Sequence, residues 1–280
     1  MTIHTLDTGS LLLDGGAMFG VVPKPLWQKL NPPDDQNKCT WAMRCLLIEA
    51  GNRLVLVDTG LGDKQDDKFF SHYVLPQWPK NQLLNSTRQL GYDAADVTDV
   101  LLTHLHFDHV GGAIKREGEA LRPAFPNATY WSHPGHWDWA VNPNPREKAS
   151  FLTENILPLQ ESGQLHFFGE QYINLSGLEL IYVDGHTEKM ALPKLTVGNK
   201  TILYCADLIP SAGHVPLPYV MSYDVRPLLT MQEKERLLVQ AAAEGWILVF
   251  EHDPVIEAAT VAQTDRGIRL AHTGKLADFL

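Results

Sequence analysis

The segment LLTHLHFDHVGG, residues 101–112, decides how this 280-residue sequence is interpreted. An apolar run predicted as a buried strand, Asp99 to Thr103, ends here, and four side chains able to bind metal follow: His104, His106, Asp108 and His109. His104 and His106 are two residues apart, so in extended chain their side chains point the same way. Three imidazoles and a carboxylate packed this closely would be costly to desolvate without a cation, so the segment predicts a metal site.

Three further candidate ligands each follow a predicted strand later in the chain: His186, Asp207 and His252. Taken singly, each has an ordinary interpretation as a turn, cap or loop residue. Because a complete site needs ligands from several loops, we expect these three side chains to join the first cluster.

The pattern H-x-H-x-D-H of residues 104–109 resembles the motif of the metallo-β-lactamase-fold hydrolases. The segment LVDTG, residues 56–60, is similar to the early Asp-Thr-Gly turn of that superfamily, and the order of the later candidate ligands continues the pattern to residue 252. The resemblance implies an α/β (α+β) chain with the αββα four-layer sandwich of the metallo-β-lactamase type, forming a single hydrolase domain over residues 1–280.

The resemblance also implies seven ligands for two divalent ions, three for each and one shared: His104, His106 and His186 for the first, Asp108, His109 and His252 for the second, and Asp207 for both. Asp58 would orient the ligand loop through hydrogen bonds without touching metal. Zinc is the expected metal, although a mixed His/Asp set also accepts iron, manganese or cobalt.

Two cations about 3.5–4 Å apart lower the pKa of a shared water, and the metal-bridging hydroxide can attack a carbonyl or phosphoryl centre. Asp108 is the candidate catalytic residue because it can accept or pass a proton as well as bind metal. We therefore expect a binuclear metal-dependent hydrolase of a small ester, lactone or phosphotriester. The segment GGAMFGVVPK, residues 15–24, resembles the start of the lactonase and organophosphate-hydrolase branch, but Pro210 stands where quorum-signal lactonases carry a tyrosine.

Two other activities of the same fold remain open, a nuclease or phosphodiesterase and a glyoxalase II-like thioesterase. The chain has 23 Lys and Arg against 33 Asp and Glu, and this net charge of −10 argues against a nucleic-acid partner. Leu105 stands where glyoxalase II usually has a second histidine. The charge therefore argues against the nuclease and Leu105 against the thioesterase, and a small-molecule substrate is expected.

Five residues outside the motif are candidates for a substrate pocket, with ordinary packing as the open alternative: Phe19, Trp27, Trp137, His214 and Tyr223. The Pro-rich polar segment Val22 to Asn37 is interpreted as a surface loop. The whole N-terminal loop segment 15–37 could form a lid or a dimer contact, and a homodimer is left open. His133 and His136 flank a predicted helix start and are interpreted as capping or surface residues. A helix is predicted from Glu147 to Leu157.

The composition, with 44% hydrophobic residues, is ordinary for a globular protein. The three cysteines form no C-x-x-C pair, and no basic leader with an apolar run is visible. No apolar stretch approaches the ~18 residues that a membrane span requires. We therefore expect a cytoplasmic protein without a membrane segment.

Overall fold

Strands and helices are mixed along the whole chain in the computed structural model, which describes residues 1–73, 80–169, 173 and 175–280. The chain divides into two units. The first contains residues 1–9, 43–176 and 189–191, and the second contains residues 10–42, 177–188 and 192–280. The mixed α/β class expected from the sequence is confirmed, whereas the single domain stays a prediction.

The strands of the described residues are β1 Thr2–Asp14, β2 Lys38–Ala50, β3 Arg53–Val57, β4 Asp99–Leu101, β5 Ile114–Glu117, β6 Ala120–Pro123, β7 Thr129–Ser132, β8 Leu165–Phe167, β9 Leu178–Val183, β10 Met190–Val197, β11 Lys200–Tyr204, β12 Ile247–Val249, β13 Ala258–Thr264 and β14 Gly267–Gly274. The α-helices are α1 Gly15–Phe19, α2 Lys24–Trp27, α3 Asp67–Tyr73, α4 Gln82–Gln89, α5 Phe107–Val110, α6 Pro134–Val141, α7 Thr153–Glu161 and α8 Pro227–Glu244. Short 3₁₀ turns cover Gly111–Ala113, Ala206–Leu208, Ala212–His214 and Leu276–Asp278.

The first sheet has the strand order β1-β2-β3-β4-β7-β8. Strands β3, β4 and β7 run parallel, with Val57 beside Leu101 and Leu101 beside Trp131. Strands β3 and β4 are almost wholly apolar and buried, as expected for parallel strands covered on both faces. Because β3 and β4 end at the same level, the polar residues that follow them emerge at one edge of this sheet.

The second sheet has the order β14-β13-β12-β11-β10-β9. Strand β10 pairs antiparallel with β11 through the predicted hairpin turn at Gly198-Asn199. Strands β11 and β12 are parallel, with Tyr204 beside Val249. Their carboxyl ends therefore lie side by side, and Asp207 and His252 follow those two ends. Helix α8 packs on β13.

Two elements differ from the sequence-based expectation. The helix predicted from Glu147 begins only at Thr153. The Asn144 side-chain oxygen accepts hydrogen bonds from the backbone N–H groups of Arg146 and Glu147, at 2.9 and 3.2 Å, as a helix cap does, so a helical turn starts here. The carbonyl of Ser150 instead accepts from the backbone N–H of Phe107 at 2.9 Å, and this tertiary bond takes the place of a helical one before Thr153. The predicted surface loop before Asn37 contains helix α2, whose Trp27 is buried.

Helices of membrane-spanning length and hydrophobicity are absent from the described parts of the chain.

Candidate metal centre

The ligand motif lies directly after β4 in the first unit, where the chain leaves the sheet edge. His104 and His106 are in extended chain, and the next residues turn into the short helix α5, which carries Asp108 and His109. All four side chains are buried, with Asp108 the most accessible at 9%. Four buried metal-binding groups within six residues would be costly to desolvate without a cation, so the burial fits a metal site.

Glycines allow the chain after the motif to turn tightly against the loop that follows β3. A Cβ atom on Gly111 would lie 2.1 Å from the carbonyl oxygen of Leu61, and one on Gly112 would lie 2.2 Å from that of Thr59. Neither position has room for a side chain. Backbone contact therefore fixes the motif against residues 59–61.

Asp58 fixes the motif on its other side. Its backbone has φ of 56°, in the left-handed region that Asp and Asn tolerate best among residues with a side chain. The fully buried carboxylate accepts hydrogen bonds from the N–H and the Oγ1–H of Thr103, at 2.8 and 2.6 Å, and from Nδ1 of His109 at 3.2 Å. One side chain thus holds both ends of the ligand loop.

These bonds determine which nitrogens of His104 and His106 carry protons. Because Thr103 Oγ1 donates to Asp58, its lone pair accepts from Nδ1 of His104 at 3.1 Å, which leaves the lone pair of that ring on Nε2. Nε2 of His106 lies 3.3 Å from a Glu147 oxygen and donates to it, which leaves a lone pair on Nδ1. These two lone-pair nitrogens face each other at 3.1 Å.

Two facing lone pairs repel, whereas two nitrogens on one tetrahedral zinc lie about 3.3 Å apart at the usual Zn–N distance. The spacing of His104 and His106 therefore fits a shared cation. The same logic applies to His109, whose Nδ1 donates to Asp58 and whose Nε2 lies 3.8 Å from an Asp108 oxygen. In the first unit, each ligand nitrogen is left unprotonated by an acceptor on the opposite side of its ring.

The second unit repeats this arrangement around Asp207. His186 Nδ1 lies 2.9 Å from an Asp224 oxygen, and its Nε2 lies 3.1 Å from Asp207 Oδ2. His252 Nδ1 donates to the carbonyl of Ala42 at 2.7 Å, and its Nε2 lies 3.0 Å from Asp207 Oδ1. Each oxygen of Asp207 thus lies close to the Nε2 atom of a different histidine.

The charge around His186 favours a cation. Burial by itself lowers the pKa of this imidazole, but the carboxylates of Asp207 and then Asp224 outweigh burial and raise the pKa to about 10. Positive charge is therefore stabilised between these carboxylates. Together with the His/Asp groups of the first unit, the chain carries the donor set of a metal-binding protein.

The candidate pocket residues lie mostly in the interior. Phe19 stacks on Trp27 at 5.5 Å and on His214 at 4.5 Å between ring centroids, and all three are buried in the second unit. Trp137 is buried in the core of the first unit, whereas Tyr223 is 38% exposed. Their assignment to a substrate pocket stays a prediction.

His214 is held in one neutral form. Nε2 donates to the carbonyl of Met18 at 2.8 Å, and Nδ1 accepts from Ser211 Oγ at 2.7 Å. Burial lowers its pKa to about 3, against a weaker opposing effect of the Met18 carbonyl. The imidazole therefore serves as an uncharged link between the α1 end and the turn at residues 211–214.

Three residues of the site were missed by the sequence analysis or interpreted wrongly. His136, expected as a capping or surface residue, is fully buried, and its Nε2 accepts from the backbone N–H of Leu105 at 2.8 Å. Its neighbour His133 does cap helix α6, through Gly135 N–H at 3.0 Å. Glu147 and Asp224 lie outside every motif, and no local signal marks them because each contacts its histidine across about 40 residues of chain.

Comparison with known proteins agrees with this description. A family model described as the metallo-beta-lactamase superfamily matches residues 44–252. The chain is 26% identical to a solved protein described as a probable metal-dependent hydrolase from Staphylococcus aureus, over 97% of this chain and 95% of that one, with a TM-score of 0.87.

Two similar proteins are named as lactonases. An N-acyl homoserine lactonase of Bacillus thuringiensis is 25% identical over 230 residues, which cover 75% of this chain and 80% of that protein. A solved dizinc quorum-quenching lactonase, in complex with a product, has a TM-score of 0.80 at 20% identity, covering 98% of this chain and 95% of that one. At that identity the second match supports the fold alone.

Proposed function

The chain belongs to the metallo-β-lactamase superfamily and is a metallo-hydrolase, and from this premise we propose that it uses two divalent ions to hydrolyse a small ester, lactone or phosphotriester. The observation that carries the proposal is the orientation of five histidines: His104, His106, His109, His186 and His252. Each has one ring nitrogen engaged by a hydroxyl, carbonyl or carboxylate oxygen, and turns the other toward a second candidate ligand atom.

We assign His104, His106 and His186 to the first ion and Asp108, His109 and His252 to the second. Asp207 is assigned to both because its two oxygens are matched to different histidines. When bound, such a pair of ions lowers the pKa of a water molecule and polarises the substrate oxygen. Zinc is the proposed metal, since a structural neighbour is described as dizinc and histidine-rich sites suit it.

The chain's own residues have three tasks in this proposal. Asp58 and Asp224 keep their histidines in the ligand tautomer. Asp108 is the most accessible of the four motif side chains and takes up the proton released during hydrolysis. The seven candidate ligand side chains would hold the ions and so reduce the reorganisation needed during the reaction.

Two measurements test the proposal. Elemental analysis of protein saturated with zinc, iron, manganese or cobalt is expected to find about two ions per chain. A hydrolysis screen of the reconstituted protein is expected to find activity on lactones, aryl esters or phosphotriesters, which the variant His106→Ala loses. His272→Ala, in the exposed strand β14, is the control.

Fewer than two ions per chain at saturation would contradict the binuclear proposal. Phosphodiester and thioester substrates belong in the same screen, because activity confined to either would favour the nuclease or the glyoxalase II-like alternative. The net charge of −10 favours a substrate without a long phosphate backbone.

A further inference from the structure

We propose that Glu147 is the positioning residue for His106, holding this imidazole with Nδ1 toward the metal. The inference rests on the proposed metal centre and extends it to a residue outside the ligand motif. His106 is the middle histidine of the motif. Asp58 accepts from Nδ1 of His109, whereas the carboxylate described against Nε2 of His106 is that of Glu147.

The first argument is the contact itself. Glu147 Oε1 lies 3.3 Å from Nε2 of His106, and the two side chains are 3% and 8% exposed. A buried carboxylate facing an imidazole nitrogen makes that nitrogen the proton donor and leaves Nδ1 unprotonated. Nδ1 is the atom that faces His104 Nε2 at 3.1 Å.

The second argument is that Glu147 is itself rigidly held. Its other oxygen, Oε2, accepts from Nε1 of Trp139 at 2.7 Å and from Nδ2 of Asn144 at 2.5 Å. The Asn144 side-chain oxygen accepts from the backbone N–H of Glu147. One carboxylate oxygen is thus fixed by neutral donors while the other is directed at His106, as expected for a group that orients a ligand.

The third argument is that the turn around Glu147 contacts the ligand segment at two more points. The carbonyl of Ser150 accepts from the backbone N–H of Phe107 at 2.9 Å, and the Phe151 ring lies 4.8 Å from the His106 ring. Residues 144–151, which we call the histidine clamp, therefore contact the His106 side chain through both Glu147 and Phe151 and also bind the backbone N–H of the next residue. The same turn precedes helix α7, which begins only at Thr153.

The first unit supplies a matched control carboxylate. Asp99 is equally buried, accepts from the indole nitrogen of Trp131 at 2.9 Å and pairs with Arg53 at 3.0 Å, but it contacts no candidate ligand. Glu147→Gln and Asp99→Asn each remove one buried negative charge with little change in volume. Both are expected to lower thermal stability, and only the first to change metal binding.

The experiment measures zinc affinity by competition with a chromophoric chelator, for the full-length protein and both variants. Glu147→Gln is expected to weaken zinc binding about tenfold, and Glu147→Ala toward a hundredfold, as found for outer partners of metal-binding histidines. Asp99→Asn is expected to keep the wild-type affinity. In NMR spectra of the zinc-loaded protein, the His106 Nε2–H signal is expected to shift in Glu147→Gln.

Three results would overturn the inference. If the wild type binds two ions and Glu147→Gln binds them equally tightly, Glu147 has no positioning role although the proposed function stands. If Asp99→Asn weakens zinc binding by the same factor, the effect reflects a general loss of stability. If the wild type binds no zinc, the proposed function and this inference fail together. Because Glu147→Gln preserves size and an acceptor oxygen, the test does not depend on whether Glu147→Ala folds.

Discussion

The two units supply their candidate ligands in different ways. The first unit offers four from one stretch of six residues, 104–109, held mainly by a single carboxylate, Asp58. The second unit offers His186, Asp207 and His252 from three separate strand ends, and each histidine has its own acceptor, Asp224 or the carbonyl of Ala42.

This difference shows that histidines adjacent in sequence and histidines from separate strand ends can be oriented by the same kind of hydrogen bond. In both units an oxygen acceptor fixes one nitrogen of each ligand histidine, so that the other presents a lone pair. In the first unit the acceptors serve a loop that is continuous in sequence. In the second, the two candidate histidines both face Asp207. We therefore expect substitution of Asp207 to reduce metal binding more than any other substitution in that unit.

Loss of Asp207 is therefore expected to have the largest effect. Asp207→Ala removes the carboxylate matched to two histidines and, in the proposed site, a ligand of both ions. Activity on whichever substrate the screen identifies is expected to fall at least about 1000-fold, since bound metal supplies several kcal/mol of charge stabilisation. Elemental analysis is expected to find at most about one ion per chain.

The exposed turn residue Asp265 provides the control, and Asp265→Asn should leave both measurements unchanged. Two retained ions with full activity in Asp207→Ala would show that neither metal binding nor activity requires the Asp207 carboxylate.

The acceptors of the two units are compared directly by Asp58→Asn and Asp224→Asn. Asparagine tolerates the positive φ at position 58 and preserves size at both positions. Asp58 accepts three hydrogen bonds from the ligand loop, so its substitution is expected to weaken metal affinity toward a hundredfold. Asp224→Asn, which affects one histidine, is expected to weaken it about tenfold, as measured by chelator competition.

Equal losses of metal affinity in the two variants would contradict this prediction. The acceptor of the first unit would then contribute no more to metal binding than an acceptor of the second unit. The thermal stability of each variant without added metal separates a loss of affinity from a loss of fold.

Each unit also contains a buried lysine, from which we expect a smaller effect, on the pH dependence of folding stability. Lys64 Nζ donates to the carbonyl of Gly111, whereas Lys234 Nζ donates to the carbonyls of His214, Pro216 and Tyr219. Burial lowers the pKa of both ammonium groups to about 7. Between pH 7 and 10.5 the folded protein therefore binds fewer protons than the unfolded chain. Each buried lysine thus lowers the free energy of unfolding most below pH 7, and that free energy rises with pH above 7.

Chemical denaturation of the wild type, Lys64→Met and Lys234→Met from pH 6 to 9.5 measures this contribution. The stability of the wild type relative to each variant is expected to increase above pH 7, by up to about 1.4 kcal/mol per pH unit. Lys68→Met, on the exposed side of α3, is expected to give a flat difference. A flat difference for Lys64→Met as well would show that its ammonium group is not desolvated in the folded chain.

Much of the fold could be predicted from the sequence because it depends on local patterns. Strand β3, the hairpin at Gly198-Asn199 and helix α8 follow from apolar periodicity and turn residues. The helix predicted from Glu147 was wrong because the Ser150 carbonyl pairs with the Phe107 N–H, a tertiary hydrogen bond that periodicity does not report. The candidate ligands could be named from the motif, whereas the oxygen acceptors of their histidines could not.

The sequence by itself determined the family, because it carries the family's motif, and the candidate metal-binding residues, because spacing two residues apart after a strand dictates how side chains point. Tertiary structure decided which oxygen atoms hold those side chains. Glu147 and Asp224 reach their histidines from 41 and 38 residues away, and only folding brings such partners within hydrogen-bond distance. It also decided that Phe19, Trp27 and His214 stack in an interior, since burial depends on what covers a side chain and not on its identity.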